Sequence, residues 1–477
     1  MNRNKGTLKH IDLPLVLSYI ALVIIGWISI YASSYTESQT SIFSLDYKSG
    51  LQILWFGISL VITFLIIFVL PSKLYFTLSW WLYLSIIILL ILVLVIGIEV
   101  NGSKSWLGIG NLRFQPSELS KISTFLCLSV VMGKYNFKVN RLGDIGIALA
   151  TIALPALLII LEPEIGTILV YAGLIFVFYR EGMSGWILLF IFYCILAFII
   201  TLKFSPFVAI IVTTAIASLI LTNYSNQKVK SSIKSIIIIT ILSFIPTILK
   251  TNYLSEKITL KPEYILLIIL GLILIPLIKL FPKKRRKIIR GVIISSVLSI
   301  ILIFSVETIF NNVLKPHHQA RIENLLGITQ DLQGAGYNVN QSKIAIGSGG
   351  FAGKGFLNGT QTKFDFVPEQ STDFIFCTIG EEWGFLGSFV VITLFFIMIG
   401  RIIILSENQK DSRGRIYGYC LASCLFMHVL INIGMTIGIM PVVGIPLPFI
   451  SYGGSSLVTF TTLLFIFIKL DIERWNY

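Results

Sequence analysis

Asp373 stands where a long polar run gives way to an apolar one. Before it lies Asn311–Thr372, dense in Gly, Gln, Asn, Lys and Asp, which closes on Phe364-Asp365-Phe366-Val367-Pro368-Glu369-Gln370-Ser371-Thr372. After it the chain runs through Glu381-Glu382-Trp383-Gly384 into a membrane-length apolar stretch. Backbone inside a bilayer must satisfy its own hydrogen bonds, so a long irregular polar segment belongs at an aqueous face. Loops beyond ~12–15 residues are uncommon and usually functional or disordered, and the scattered Phe, Val, Ile and Tyr argue against disorder. A carboxylate at this boundary is placed for burial to raise its pKa toward that of a useful base. The structural alternative is an acid in the first turn of a helix capped by Thr372, worth ~0.3–1 kcal/mol through the helix dipole.

Three further stretches carry polar chemistry. Asn101–Glu118 is rich in turn-forming glycines and holds Lys104, Trp106 and Arg113; Pro116 marks a helix start, with Glu118 and Lys121 three apart on one face. Two ionisable groups in an apolar helix either pair or line a polar cavity. Gly347-Ser348-Gly349-Gly350 followed by Gly353-Lys354-Gly355 has the composition of a phosphate-cradling loop but not nucleotide P-loop spacing, and the plain alternative is a turn-rich loop. Pro441–Ser456 interrupts an apolar region with three prolines and three glycines, backbone that is tolerated at membrane depth only when buried in protein or lining a cavity.

The elements that position these residues follow from composition. The 477 residues are 55% hydrophobic and 13% charged, with mean hydropathy +0.88, which defines a polytopic all-α membrane protein. The formal charge of +14 sits in short clusters between apolar runs, the pattern that sets membrane orientation and not nucleic-acid binding. The five cysteines lie in or beside apolar runs and read as small helix residues. Apolar runs of about 20 residues predict some 14 spans: 13–32, 52–70, 76–99, 116–133, 143–161, 166–179, 185–203, 206–222, 235–249, 264–280, 290–309, 385–404, 416–436 and 457–469. Basic residues put both termini, and Lys283–Lys287, on the cytoplasmic side, and loop 311–372 outside. The turn at Glu162-Pro163-Glu164 falls near the outer face.

Taken together, Asn101–Glu118, Gly334–Phe376 and Gly444–Gly454 resemble the SEDS glycosyltransferases of bacterial cell-wall growth, RodA and FtsW, and the 347–361 glycine pattern looks like the elongation branch. The resemblance covers roughly 10–180 and 290–475. It divides the chain into an N-terminal core (1–183), additional helices with packing or partner surface (184–290) and a C-terminal core (291–477). The family has about ten spans, so four are surplus here. It usually has Gln-Pro-Asp-Leu-Gly-Thr where this chain has Glu162-Pro163-Glu164-Ile165-Gly166-Thr167.

What the resemblance implies is polymerisation of lipid II at the outer face of the bacterial cytoplasmic membrane, with release of undecaprenyl diphosphate and inversion in a single displacement. Asp373 matches the family's proposed catalytic aspartate. Lys104, Trp106, Arg113, Glu118, Lys121, Lys343, Lys354 and Glu369 are the candidate substrate contacts. Implied partners are a class B penicillin-binding protein and other elongation-complex membrane proteins. A divalent cation, Mg or Mn, is compatible with pyrophosphate departure, although the sequence shows no ligand cluster. A flippase for the lipid-linked precursor and a non-catalytic transpeptidase scaffold are the competing functions.

Overall fold

The computed structural model describes residues 11–35, 42–100, 103–109, 112–223, 286–312, 314, 316–329, 334 and 336–474. They form two compact units, Met1–Ser184 with Leu332–Tyr477, and Gly185–Asp331. Nine of the described helices are long and apolar enough to cross a membrane. The expected spans 235–249 and 264–280 lie outside the described residues.

The first unit begins with α1 (Leu13–Ser33), whose first turn is capped by Asp12 accepting from the Leu15 N–H. Next come α2 (Lys48–Phe64, closing in a π turn to Val69) and α3 (Ser72–Ile96). A three-stranded antiparallel sheet follows: β1 (Ile98–Val100), β2 (Ser103–Ile109) and β3 (Leu112–Phe114). The sequence predicts only turns there. The strands form because apolar residues meet across them, Trp106 opposite Ile98 and Leu107 opposite Phe114.

Pro116 opens α4 (Pro116–Met132) as expected, and α5 (Leu142–Leu161) ends at the Glu162–Glu164 turn. The expected span 166–179 is broken near Gly173 into α6 (Ile165–Ala172) and α7 (Ile175–Arg180). A Cβ on Gly173 would lie 2.3 Å from Met427 Cγ, so the break lets a neighbouring helix come close.

The expected irregular loop 311–372 instead contains helices. One, α11 (Pro316–Leu326), belongs to the second unit; α12 (Tyr337–Ser348) and α13 (Thr360–Lys363) belong to the first. Asn, Gln and Lys are tolerated on exposed helix faces, while Ser342 and Ala345 of α12 are buried. Nor does Thr372 cap a helix opening at Asp373. The helix α14 (Ile375–Glu382) starts two residues later, and the Thr372 hydroxyl donates to Glu369 Oε2 at 2.8 Å. After a break at Gly384 (φ +64) come α15 (Gly384–Glu407), α16 (Ser412–Thr436) and α17 (Gly454–Glu473).

Charged residues gather where these helix ends meet. Asp12 pairs with Arg401, Arg180 Nε donates to Glu407 (2.7 Å), Arg415 pairs with Glu181 (3.0 Å), and Gln409 reaches Asp471 (2.9 Å). The start of α1 and the ends of α7, α15 and α17 therefore share one face. Single cysteines at Tyr135, beyond the end of α4, and at Asn358 should label from opposite sides of the membrane in a cysteine-free background; labelling of both from one side contradicts the topology.

In the second unit α8 (Gly185–Lys203), α9 (Pro206–Asn223) and α10 (Arg286–Asn312) pack around Ala209, Ile210 and Ile303. Gln319 on α11 folds back onto the end of α10, donating to the carbonyls of Phe310 (2.6 Å) and Leu314 (3.0 Å).

Candidate active site

Asp373 lies on a turn held from three sides. Ser451 Oγ donates to the Thr372 carbonyl (2.7 Å) and the Tyr452 N–H to the Ser371 carbonyl (2.9 Å). Lys48 Nζ, at the start of α2, donates to Ser371 Oγ (2.8 Å). Asn432 Nδ2 on α16 donates to the Asp373 carbonyl (2.8 Å) and to that of Ile445 (2.7 Å). The Asp373 carboxylate faces Gly444, whose φ of +66 favours glycine. Asp373 is half-buried. Loss of water around its carboxyl, with the Glu369 carboxylate adding, pushes its pKa up to about 7.

The 441–453 segment is irregular, and much of it is buried. Its backbone polar groups are met by side chains, as a membrane interior requires. Ser451 Oγ accepts from the Leu447 N–H (2.8 Å), and His428 Nδ1 bonds the Pro446 carbonyl (3.1 Å). His428 and Asn432 are one turn apart on α16, so a single helix face grips the consecutive residues Ile445 and Pro446.

Glu118 and Lys121 form a buried ion pair at 2.7 Å. Lys121 Nζ also lies 3.0 Å from His428 Nε2 and 5.1 Å from the Phe460 ring centroid. An ammonium only donates, so His428 Nε2 must accept and its proton sits on Nδ1, pointed at Pro446. The pair predicted on one helix face thus supports the same 445–446 segment that Asn432 ties to Asp373. The structure brings it to the site as a positioning element.

Lys354 is drawn into a different network. Its Nζ donates to Glu381 Oε1 (2.7 Å) and Thr360 Oγ1 (2.7 Å). The fully buried Glu381 carboxylate also accepts the N–H groups of Gln361 and Thr362, each at 2.9 Å. Burial alone would raise the Glu381 pKa, but Lys354 and these N–H groups outweigh it and hold it below the usual range. The glycine run packs tightly against α14 and is not an open cradle: a Cβ on Gly353 would lie 2.1 Å from the Glu382 carbonyl oxygen. From Thr362 the network passes to Gln370, whose Nε2 donates to the Thr362 carbonyl (2.7 Å) three residues before Asp373.

The other predicted contacts fall elsewhere. Lys104 is exposed on β2 opposite Glu99, Trp106 is half-buried on the same strand, and Arg113 lies on β3 opposite Gly108. Lys343 is exposed on α12, and its stem covers Gly438. Glu369 is exposed on the Asp373 turn. Sequence reasoning missed Lys48, Asn432 and His428. Lys48 carried a signal, since it is a cation in a connector expected outside, against the usual charge bias.

Glu162 is fully buried, and neither carboxylate oxygen has a protein hydrogen-bond partner. Burial and the neighbouring Glu164 push it up to about 8. Neutral at pH 7, it presents one donor and one acceptor, as the glutamine usual in the family would. Glu164 is also raised by burial, against the opposing hydrogen bond from Thr167 (2.6 Å). A carboxyl that holds its proton more tightly when folded loses stability as pH rises between its unfolded and folded pKa values. The Glu162→Gln variant should therefore match wild type in thermal stability near pH 5 and exceed it increasingly toward pH 8. A constant difference across that range contradicts the assignment.

Among the described residues no three His, Cys, Asp or Glu side chains gather to hold a metal ion.

A helical core with membrane-length spans, an acid beside an irregular, largely buried segment and a buried Glu–Lys–His cluster define a polytopic membrane protein with an enzyme-like polar site. The chain belongs to the FtsW, RodA and SpoVE family of cell cycle proteins, whose profile matches residues 13–229 and 199–476. It is 28% identical to the peptidoglycan glycosyltransferase MrdB of Escherichia coli, covering 99% of this chain and 97% of that protein. It is 30% identical to the peptidoglycan glycosyltransferase RodA of Treponema pallidum, covering 94% of each. A solved chain of a peptidoglycan synthase complex shares its fold, with TM-score 0.62 at 21% identity, covering 98% of this chain and 99% of that one.

Proposed function

We propose that this multi-pass membrane protein is a peptidoglycan glycosyltransferase that polymerises lipid II into glycan strands at the outer face of the cytoplasmic membrane during elongation. The observation that carries this is Asp373, half-buried on a turn fixed by Asn432, Ser451 and Lys48, with its pKa near neutrality. In the reaction, the 4-hydroxyl of one disaccharide gives its proton to Asp373. The oxygen forms a bond to the anomeric carbon of the growing chain. The bond from that carbon to the diphosphate breaks, and undecaprenyl diphosphate leaves with the electron pair. A single displacement inverts the anomeric centre and needs no covalent enzyme intermediate. Lys48, at the start of α2 and hydrogen-bonded to Ser371 of the Asp373 turn, is a cation placed to meet the departing charge.

We assign both termini to the cytoplasm and loop 311–372 to the outside. The transpeptidase partner is a class B penicillin-binding protein, in keeping with the synthase-complex neighbour. Purified protein in detergent with lipid II should yield strands on a gel without any second compartment. Lipid II transport across vesicles with no polymer in detergent would favour the flippase instead.

A further inference from the structure

A second polar feature lies at the other end of α4. A cavity of about 500 Å³ opens among the end of α4, the turn after it, the end of α7 and the start of α16. From Glu118 it is some 15 residues along the helix, about 22 Å at 1.5 Å per residue. The active site does not use it.

Its charged lining is Lys134, Lys138, Arg415 and Glu181. Arg415 and Glu181 neutralise each other, Nε to Oε1 at 3.1 Å and Nη2 to Oε2 at 3.0 Å. Just outside, Arg413 pairs with Asp411 at 2.7 Å, and Asp144 accepts the Lys138 backbone N–H at 3.1 Å. The ammonium groups of Lys134 and Lys138 are exposed and have no carboxylate partner among the described residues. The walls are fixed: Ser412 Oγ donates to the Gly133 carbonyl at 3.0 Å, and a Cβ on Gly133 would meet Arg413 Cγ at 2.4 Å. Tyr135, in the lining, is fully exposed, which suits an aromatic ring at headgroup level.

A walled cavity with two unpaired cations, at the ends of helices whose bodies are apolar, matches a phosphate monoanion held at the bilayer surface. Basic pockets between helix ends are known lipid-headgroup sites. We propose that this cavity seats the phosphate headgroup of an anionic phospholipid from the adjoining leaflet. The assignment rests on the chain spanning a membrane and is independent of the glycosyltransferase chemistry.

The test is native mass spectrometry of the full-length protein released from nanodiscs containing phosphatidylcholine with or without phosphatidylglycerol. Wild type should retain phosphatidylglycerol in preference to phosphatidylcholine. The double variant Lys134→Gln, Lys138→Gln should retain on the order of 25-fold less, since each lysine near an anionic surface carries about fivefold and the two multiply. Both substitutions are at exposed positions, and an unchanged unfolding midpoint in phosphatidylcholine alone confirms that the variant is folded. Equal retention by variant and wild type, or no preference between the lipids, overturns the proposal. In a second arm, lipid-stripped protein is given short-chain phosphatidylglycerol or inorganic phosphate. A larger rise in the unfolding midpoint with the lipid supports the headgroup, and an equal rise with inorganic phosphate overturns it in favour of a free anion.

Discussion

Lys121→Met should destabilise the protein by about 3–5 kcal/mol, the penalty typical of removing one partner from a buried ion pair. Lys121 is 1% exposed and Glu118 4%, so the remaining carboxylate would have no water to turn to. His428 would lose the donor to Nε2, loosening the support that its Nδ1–H gives Pro446. Activity should fall with it, because Ile445 and the Asp373 carbonyl share Asn432 as their donor. The double variant Glu118→Gln, Lys121→Met leaves no orphan charge and should be more stable than Lys121→Met alone, so the two substitutions are non-additive. Unfolding midpoints of the purified variants in one detergent measure this. A Lys121→Met protein as stable as wild type would mean that the pair does not support the site.

The pH dependence of strand formation is the second large effect. A base must be deprotonated to act, so kcat/KM should rise with pH through an apparent pKa of about 7 and level above it. Part of that elevation comes from Glu369, so Glu369→Gln should move the rising limb to lower pH. In stability the sign is reversed: the carboxyl holds its proton more tightly folded than unfolded, so its contribution declines as pH climbs from about 4 toward 7. A flat profile from pH 5 to 8 in wild type would leave no titrating base in the rate-limiting step.

Periodicity and charge were enough to reveal the long spans, because about 20 apolar residues in a row have few alternatives to a membrane helix. The Pro116 helix start and the Glu118–Lys121 pairing were equally legible, since both are local. Features that depend on tertiary approach were not. The glycines near 350 read as a loop open to phosphate, whereas their missing side chains let the loop lie against α14. Lys354 read as a substrate contact because Glu381, its partner, is 27 residues away in sequence. Helices α11, α12 and α13 were hidden by polar composition, which turn-based reasoning assigns to loop. His428 and Asn432 looked like ordinary polar residues in an apolar helix. Their role appears only when the 441–453 segment, separated from them by the chain reversal after α16, folds back onto that face.

Asp373→Asn tests the account most directly. The substitution keeps the size of the side chain and much of its hydrogen bonding, and it spares the Asp373 carbonyl that Asn432 holds. It removes only the ability to take a proton. Purified, folded Asp373→Asn protein given lipid II should form glycan strands ~10²–10⁴-fold more slowly than wild type, the range for loss of a general base, with an unfolding midpoint no lower than that of wild type. Strands of wild-type length at a near wild-type rate would remove Asp373 from the mechanism.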